Sequence, residues 1–438
     1  VDDPLIYARA VHFAATLLAA GTVFFVVGVA EPAFRSAKTD ARLAATLRPR
    51  FAWLVWISLA VAVLSGAAWL VSTAESMSGQ AAADVLSQGV LWTVLARTDF
   101  GNDWLVRFVL AGLLAALFAP AAAERRMKSR WANAALVALA AGFAGSLAFA
   151  GHAIGGQGIE GIVHPAADIL HLIAAAAWVG ALVPLALFLA AAKDEASLGA
   201  MRTATLRFSA LGVVSVATLF ATGSVNSWYL VGGFAEFTAT DYGRLLLIKI
   251  ALFLGMVAIA AVNRFHLTPA IADAASTATA QRALRRLRRN ASIEAAAGAI
   301  VIGIVAVLGT LPPASHANHH PAYGGLPPDS AFVHIHSEQG MADVMIEPGR
   351  VGKAHATVRL WTEDFEQLDA QTMTFTLTAP EAGSKPAAHI AVPNADGAWQ
   401  IDDIDLSQAG NWTVEVDAVL TPSRRLELDA PIVIDPGK

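Results

Sequence analysis

Apolar residues fall in long blocks up to residue 311 and in short alternating runs after residue 330. Eight blocks, at about 5–30, 51–73, 104–121, 131–150, 166–192, 207–231, 244–265 and 291–311, reach the roughly 20 residues that a helix needs to cross the hydrocarbon core. They lack the alternation of a membrane β-barrel, and an open sheet leaves backbone groups unsatisfied in lipid. Proline and glycine then interrupt the chain at Pro312-Pro313, Gly324-Gly325 and Pro327-Pro328, a density that prevents regular structure. Beyond this linker come period-2 runs, clearest in Phe332–His336, Ala356–Trp361, Thr372–Leu377 and Trp412–Val416, with turn signals at Pro348-Gly349, Asp396-Gly397 and Ala409-Gly410-Asn411. Seven or so short strands in the tail predict an immunoglobulin-like sandwich. The expected architecture is an α-helical polytopic membrane domain over 1–312, a Pro/Gly/His linker over 313–330 and a C-terminal all-β sandwich over 331–438.

Composition sharpens this picture. The chain is 56% hydrophobic and only 15% charged, below the charge content of ordinary soluble domains. A net charge of −5 gives no footprint for nucleic acid. The absence of cysteine excludes disulfides, thiolate metal sites and iron–sulfur clusters, which leaves histidine, methionine, carboxylates and backbone as metal ligands. Val1-Asp2-Asp3-Pro4 lacks the basic region of a signal peptide, so the first block is expected to be a retained helix.

Basic residues are confined to alternate connections. Arg35, Lys38, Arg42, Arg48 and Arg50 follow the first block, Arg125, Arg126, Lys128 and Arg130 the third, Lys193, Arg202 and Arg207 the fifth, and Arg264 with Arg282–Arg289 the seventh. The intervening connections hold only Arg97. This bias predicts that both termini and the sandwich lie outside and the basic connections in the cytoplasm.

Ionisable residues within spans are costly and need a reason. Arg9 and His12 fall in the outer half of the first block, His152 ends the fourth, and Asp168 and His171 lie three residues apart at the start of the fifth. His12, His152, Asp168 and His171 thus share the outer third of the membrane on three helices. Imidazole and carboxylate together suit a transition metal, with Asp168 either a ligand or the orienting partner of a histidine. Each residue also has a plain structural role open to it, such as an interhelical hydrogen bond. His164, in the glycine-rich connection before the fifth block, is a further candidate, and Lys249 is available to balance Asp168. At the inner end, Glu31, Asn263, Arg264, His266 and Glu294 form either an ion-paired closure, with Glu294 on Arg264, or an inner gate. In the linker and tail, His316, His319 and His320 form a loose tract, and His334 and His336 share one strand face, with His355, Met341 and Met345 as possible companions.

Several of these stretches occur together in a known family. Leu147–Ala153, Asp168-Ile169-Leu170-His171, Ala177-Trp178-Val179-Gly180, Arg207-Phe208-Ser209, Thr222-Gly223 with Asn226-Ser227-Trp228, Gly243-Arg244 with Lys249, Asn263-Arg264-Phe265 and Glu294 resemble the copper resistance protein D (CopD) family. The tail resembles the YtkA-like domain through His334-Ile335-His336 and Leu360-Trp361. The resemblance implies copper handling at the bacterial inner membrane, with import from periplasm to cytoplasm, a copper ion held at His152, Asp168 and His171, and a periplasmic copper chaperone as partner. Because the family is also similar in helical layout to b-type cytochromes, haem b and electron transfer to Cu(II) form the rival expectation. A copper-sensing or assembly module is a third. The chain carries no phosphate-binding Gly-x-x-x-x-Gly-Lys-Ser/Thr loop, so a non-enzymatic, passive or ion-coupled carrier is expected.

Overall fold

The computed structural model describes residues 4–36, 41–78, 82–87, 90–97, 99–119, 129–150, 160–191, 197–231, 233–272, 276–311, 327, 329–337, 340–362, 367–379, 386–394, 396–421 and 424–437. They form two compact units, helices up to Leu308 and strands from Ala331.

The helical unit contains eight spans long and apolar enough to cross a membrane: span 1 Pro4–Arg35, span 2 Ala41–Glu75, span 3 Phe100–Phe118, span 4 Arg130–Phe149, span 5 Ile162–Ala190, span 6 Leu198–Val231, span 7 Asp241–Ile271 and span 8 Thr277–Leu308. Span 2 already begins at Ala41 and span 8 at Thr277, so basic stretches expected as connections are helical. Arginine and lysine are good helix formers, and a helix end beyond the hydrocarbon keeps its charges in water. Arg48, for example, reaches Glu31 at 2.8 Å across the ends of spans 2 and 1.

Among the described residues three spans widen into a π turn, at Val26–Ala30, Ala176–Gly180 and Asn263–Leu267. Each lies just ahead of a proline: Pro32, Pro184 and Pro269. A helical proline has no N–H and its ring crowds the carbonyl four residues earlier, here Gly28, Gly180 and Phe265. The wider turn makes room for that carbonyl. Arg207 of span 6 takes up one of them, donating to the Gly28 carbonyl at 3.1 Å.

Spans 1 and 5 are the most enclosed and form the axis of the bundle. They cross backbone to backbone. A Cβ on Gly21 would lie 2.3 Å from the Gly180 carbonyl carbon, and one on Gly180 would lie 2.0 Å from the Leu17 oxygen. Lipid tails are as apolar as leucine, so helices associate in a bilayer through such close packing of small residues. Around this axis span 1 also packs on spans 2, 4 and 8, and span 5 on spans 4, 6 and 8. Spans 6 and 7 meet only slightly, which leaves cavities between them.

The second unit is a sandwich with nine strands among the described residues: β1 Ala331–Ser337, β2 Gly340–Glu347, β3 Gly352–Trp361, β4 Thr372–Thr378, β5 Ala387–Ile390, β6 Val392–Pro393, β7 Trp399–Leu406, β8 Gly410–Thr421 and β9 Arg424–Ile434. One sheet runs β1-β2-β3-β7-β6 and the other β5-β4-β8-β9, with every pair antiparallel. The alternation seen in the sequence becomes the core between them: Val344, Val358 and Ile401 from the first sheet meet Phe375, Val416 and Leu428 from the second. The strands beyond the expected seven are the short β5 and β6, whose few residues carry little periodic signal.

The spans 1–5 crossing yields a direct expectation. Gly180→Leu puts side-chain volume where only backbone is available, at a cost of at least about 1–3 kcal/mol. Thermal unfolding of the detergent-solubilised protein should show a lower midpoint, with less monodisperse material. Gly112→Ala, on span 3 with open space around its Cα, should leave the midpoint unchanged or slightly raised.

Candidate functional site

Asp168 and His171 stand one turn apart on span 5 and face span 6. His171 Nδ1 lies 3.0 Å from Thr222 Oγ1. The Thr222 hydroxyl already donates to the Thr218 carbonyl at 2.7 Å, so its oxygen accepts and His171 Nδ1 carries the proton. That assigns the lone pair to Nε2, the nitrogen then able to bind a metal. Asn226 Nδ2 donates to Asp168 Oδ1 at 3.1 Å. Both residues line a cavity of about 210 Å³ together with Arg9, Tyr242, Lys249 and Gly309.

This chamber is the first of three in a row. A second cavity of about 340 Å³ shares His171, Gly223, Lys249 and Gly298 with it. A third, of about 550 Å³, shares Trp178, Phe220, Phe253 and Leu254 with the second. The third ends on Asn263, Arg264 and Glu294. Trp178 belongs to the π turn ahead of Pro184, so the proline positions an aromatic wall between the two larger cavities. Met256, 3% exposed, supplies a thioether to the middle one.

At the far end of the row Glu294 is buried and accepts from Asn263 Nδ2 at 2.7 Å, while Asn290 Nδ2 donates to Asn263 Oδ1 at 2.7 Å. The expected Glu294–Arg264 ion pair is not formed. Arg264 is turned to span 6, where it donates to Ser209 Oγ at 2.9 Å, because the π turn at Asn263–Leu267 sets the two neighbours on different faces. His266 is exposed and stands apart from Glu294's partners.

His12 is not brought to this chamber. Arg9, Phe13 and Leu17 of span 1 line it, but His12 projects the other way, toward spans 2 and 3. Its Nδ1 donates to the Ala62 carbonyl at 2.8 Å, and its Nε2 accepts from Arg107 Nη2. The ring packs edge-on against Trp69 and Trp104 at 5.8 and 4.9 Å. Arg107 Nη1 also donates to Ser146 Oγ at 2.7 Å. With both nitrogens engaged, His12 is a buried structural hub and holds no lone pair for copper. Sequence reasoning missed Arg107. An arginine in the midst of an apolar span was itself the signal.

His152 lies outside the described residues. His164 stacks on Tyr229 with ring centroids 5.1 Å apart, one turn before Asp168 on the same helix. Among the described residues no group of three or more histidines and carboxylates is gathered as a metal site. Nor do they fit a bis-histidine haem: His12 has spent both nitrogens, His164 faces Tyr229 and His266 is exposed at the opposite end.

In the sandwich, His334 Nδ1 donates to Asp343 Oδ1 at 2.7 Å, and Trp361 Nε1 donates to Asp343 Oδ2 at 2.8 Å. His334 pairs across the β1–β2 ladder with Asp343, and His336 with Met341. The His336 side chain lies outside what the structure describes, as do His316, His319 and His320. His355 pairs with Glu347 at 3.7 Å at the surface.

Fold and site together define a polytopic helical membrane protein with a polar chamber buried at one end of its bundle and a β-sandwich attached. A family model for copper resistance protein D matches residues 202–308, and one for the N-terminal domain of copper resistance protein D-like proteins matches residues 1–162. The chain is 36% identical over 231 residues to copper resistance protein D of Pseudomonas syringae pv. tomato, covering 51% of this chain and 72% of that one. It is 31% identical to inner membrane protein YebZ of Escherichia coli, over 70% of this chain and 97% of that one. To copper transport protein CutJ of Bacillus subtilis it is 25% identical, over 75% of this chain and 57% of that one. The chain belongs to the copper resistance protein D family, and its membrane function is copper-related.

The hub around His12 carries its own expectation. Arg107→Ala strips Ser146 and His12 Nε2 of a buried donor and should lower stability by about 2–3 kcal/mol, read as a lower melting midpoint of the purified protein.

Proposed function

We propose that this protein carries copper across the bacterial inner membrane, from periplasm to cytoplasm, along the cavities between spans 5 and 8. The observation that supports this most is the row of three cavities with shared walls, running from Asp168 and His171 to Asn263 and Glu294. Copper would be taken up on His171 Nε2 and Asp168, with His152 as a further ligand from the end of span 4. It would then pass the Met256 thioether, a soft donor suited to Cu(I), and leave past Glu294. The sandwich serves as a periplasmic copper-receiving domain through His334 and His336, with Asp343 orienting the His334 ring as carboxylates orient ligating histidines.

The test is copper accumulation in cells lacking the protein and re-expressing it. His171→Ala and Asp168→Asn should fall to the level of the deletion strain. Met256→Leu keeps volume and apolarity, so it should slow uptake severalfold without loss of folded protein. Unchanged accumulation in His171→Ala would overturn the reading.

Direction rests on orientation, and the cysteine-free chain makes orientation measurable. A single cysteine at Thr238, between spans 6 and 7, should react with an impermeant maleimide in intact cells. One at Arg285, in the basic start of span 8, should react only after permeabilisation.

A further inference from the structure

The outer chamber has more positive charge than a site for a bare cation can use. Arg9 is 8% exposed and lines the cavity. Its guanidinium lies over the Trp69 ring at 4.7 Å and so close to Gly309 that a Cβ there would overlap Nη2. Among the described residues it has no ion pair, and its Nε is buried without an acceptor. Lys249, on the facing wall, lines both the outer and the middle cavity and has no ion-pair or hydrogen-bond partner among the described residues. Among the described residues Asp168 is the one carboxylate lining the chamber; it is engaged by Asn226 and is the counter-charge that acts on Lys249. The remaining polar groups on the walls, His171, Asn226, Ser227 and Tyr242, are neutral as amide, hydroxyl or unprotonated imidazole. Among the described residues two cations stand against one carboxylate, a surplus of one positive charge in the chamber.

A buried charge is retained where something pairs with it. A Cu(I) ion entering alone would raise the surplus to two charges in a poorly screened enclosure. One small anion in the chamber cancels the standing surplus, and a copper(I) ion flanked by two monovalent anions brings the total with Arg9, Lys249 and Asp168 to zero. The volume suits such a complex: about 210 Å³ is the share of roughly seven liquid waters at about 30 Å³ each.

We propose that the chamber between Arg9 and Lys249 is an anion site, which takes a halide- or carboxylate-sized anion and receives copper as an anion complex rather than as a bare ion. This deepens the transport reading and rests on it for the role of copper. The anion site itself is testable without copper.

Trp69 lies beneath Arg9 and is only 2% exposed, so iodide bound at the guanidinium quenches an indole that bulk iodide does not reach. The intact protein, copper-free and in phosphatidylcholine nanodiscs, is titrated with iodide. Its tryptophan emission should show a saturable quenching component that chloride and acetate displace and gluconate does not. Trp69→Phe should remove that component. Arg9→Gln and Lys249→Gln, accepted only if monodisperse with wild-type helicity, should weaken it about tenfold or more, the scale of a lost charged hydrogen bond. Arg9→Lys, which keeps the charge, should retain it in part. Quenching that stays linear in iodide and equal in wild type and variants overturns the proposal. Loss of the component when phosphatidylglycerol replaces part of the phosphatidylcholine, with no displacement by chloride, identifies a lipid headgroup as the occupant and overturns the small-anion reading. Saturable iodide binding in a protein that moves no copper would sink the transport reading and leave the anion site standing. Copper uptake without iodide binding would do the reverse.

Discussion

The crossing of spans 1 and 5 at Gly21 and Gly180 is the contact on which the rest of the helical unit is hung. In a bilayer no hydrophobic gain separates helix–helix from helix–lipid contact, so close packing must do the joining. Here two glycines let one backbone rest on another. Their approach also sets the rotation of span 1 about its own axis. Successive residues of a helix are about 100° apart, so once Gly21 and Leu17 face span 5, Arg9 and Phe13 follow them into the chamber of Asp168 and His171. His12 and Thr16 are turned to spans 2 and 3. One contact thereby divides the polar residues of a single helix between two different neighbourhoods.

Those neighbourhoods are chemically unlike. On the side of spans 2, 3 and 4 most donors find acceptors: His12 with Ala62 and Arg107, Arg107 with Ser146, packed against Trp69 and Trp104, with Arg107 Nε left over. Such a network gives the bundle a defined register. Between spans 5 and 8 the polar groups are left facing cavities. Among the described residues His171 keeps a lone pair, Lys249 and Arg9 share the single carboxylate of Asp168, and an oxygen of Asn226 has no donor. Satisfied groups hold a structure together; groups left open toward a cavity are available to a ligand. The prolines widen this contrast, since the π turns ahead of Pro184 and Pro269 place Trp178 and Asn263 along the cavity row.

Much of this was legible in the residues. Block length and hydropathy marked all eight spans, because the bilayer imposes one length on every crossing helix. Alternation marked β1, β3, β4 and β8, because a sandwich strand has one wet face and one dry one. Asp168 and His171 were recognisable as a pair, since three residues on a helix is one turn. Arg107 carried a signal as a charge within an apolar block, but its partners were hidden, because His12 and Ser146 lie far from it in the chain. The helical extent of the basic stretches was also hidden, since the water beyond the membrane tolerates helix and loop alike.

The division of labour has a physical basis. Local chemistry, meaning hydropathy along the chain, the period of each segment and the prolines, dictates which segments are helices or strands, where they widen and which of them enter lipid. Such properties depend on a residue and its near neighbours. Which polar residue meets which depends on how each helix is rotated and whom it touches, and that follows from packing between residues far apart in the chain. His12 and His171 look alike as intramembrane histidines. One is consumed by Arg107 and Ala62, and the other opens into a chamber, because Gly21 and Gly180 turn span 1 one way and no other.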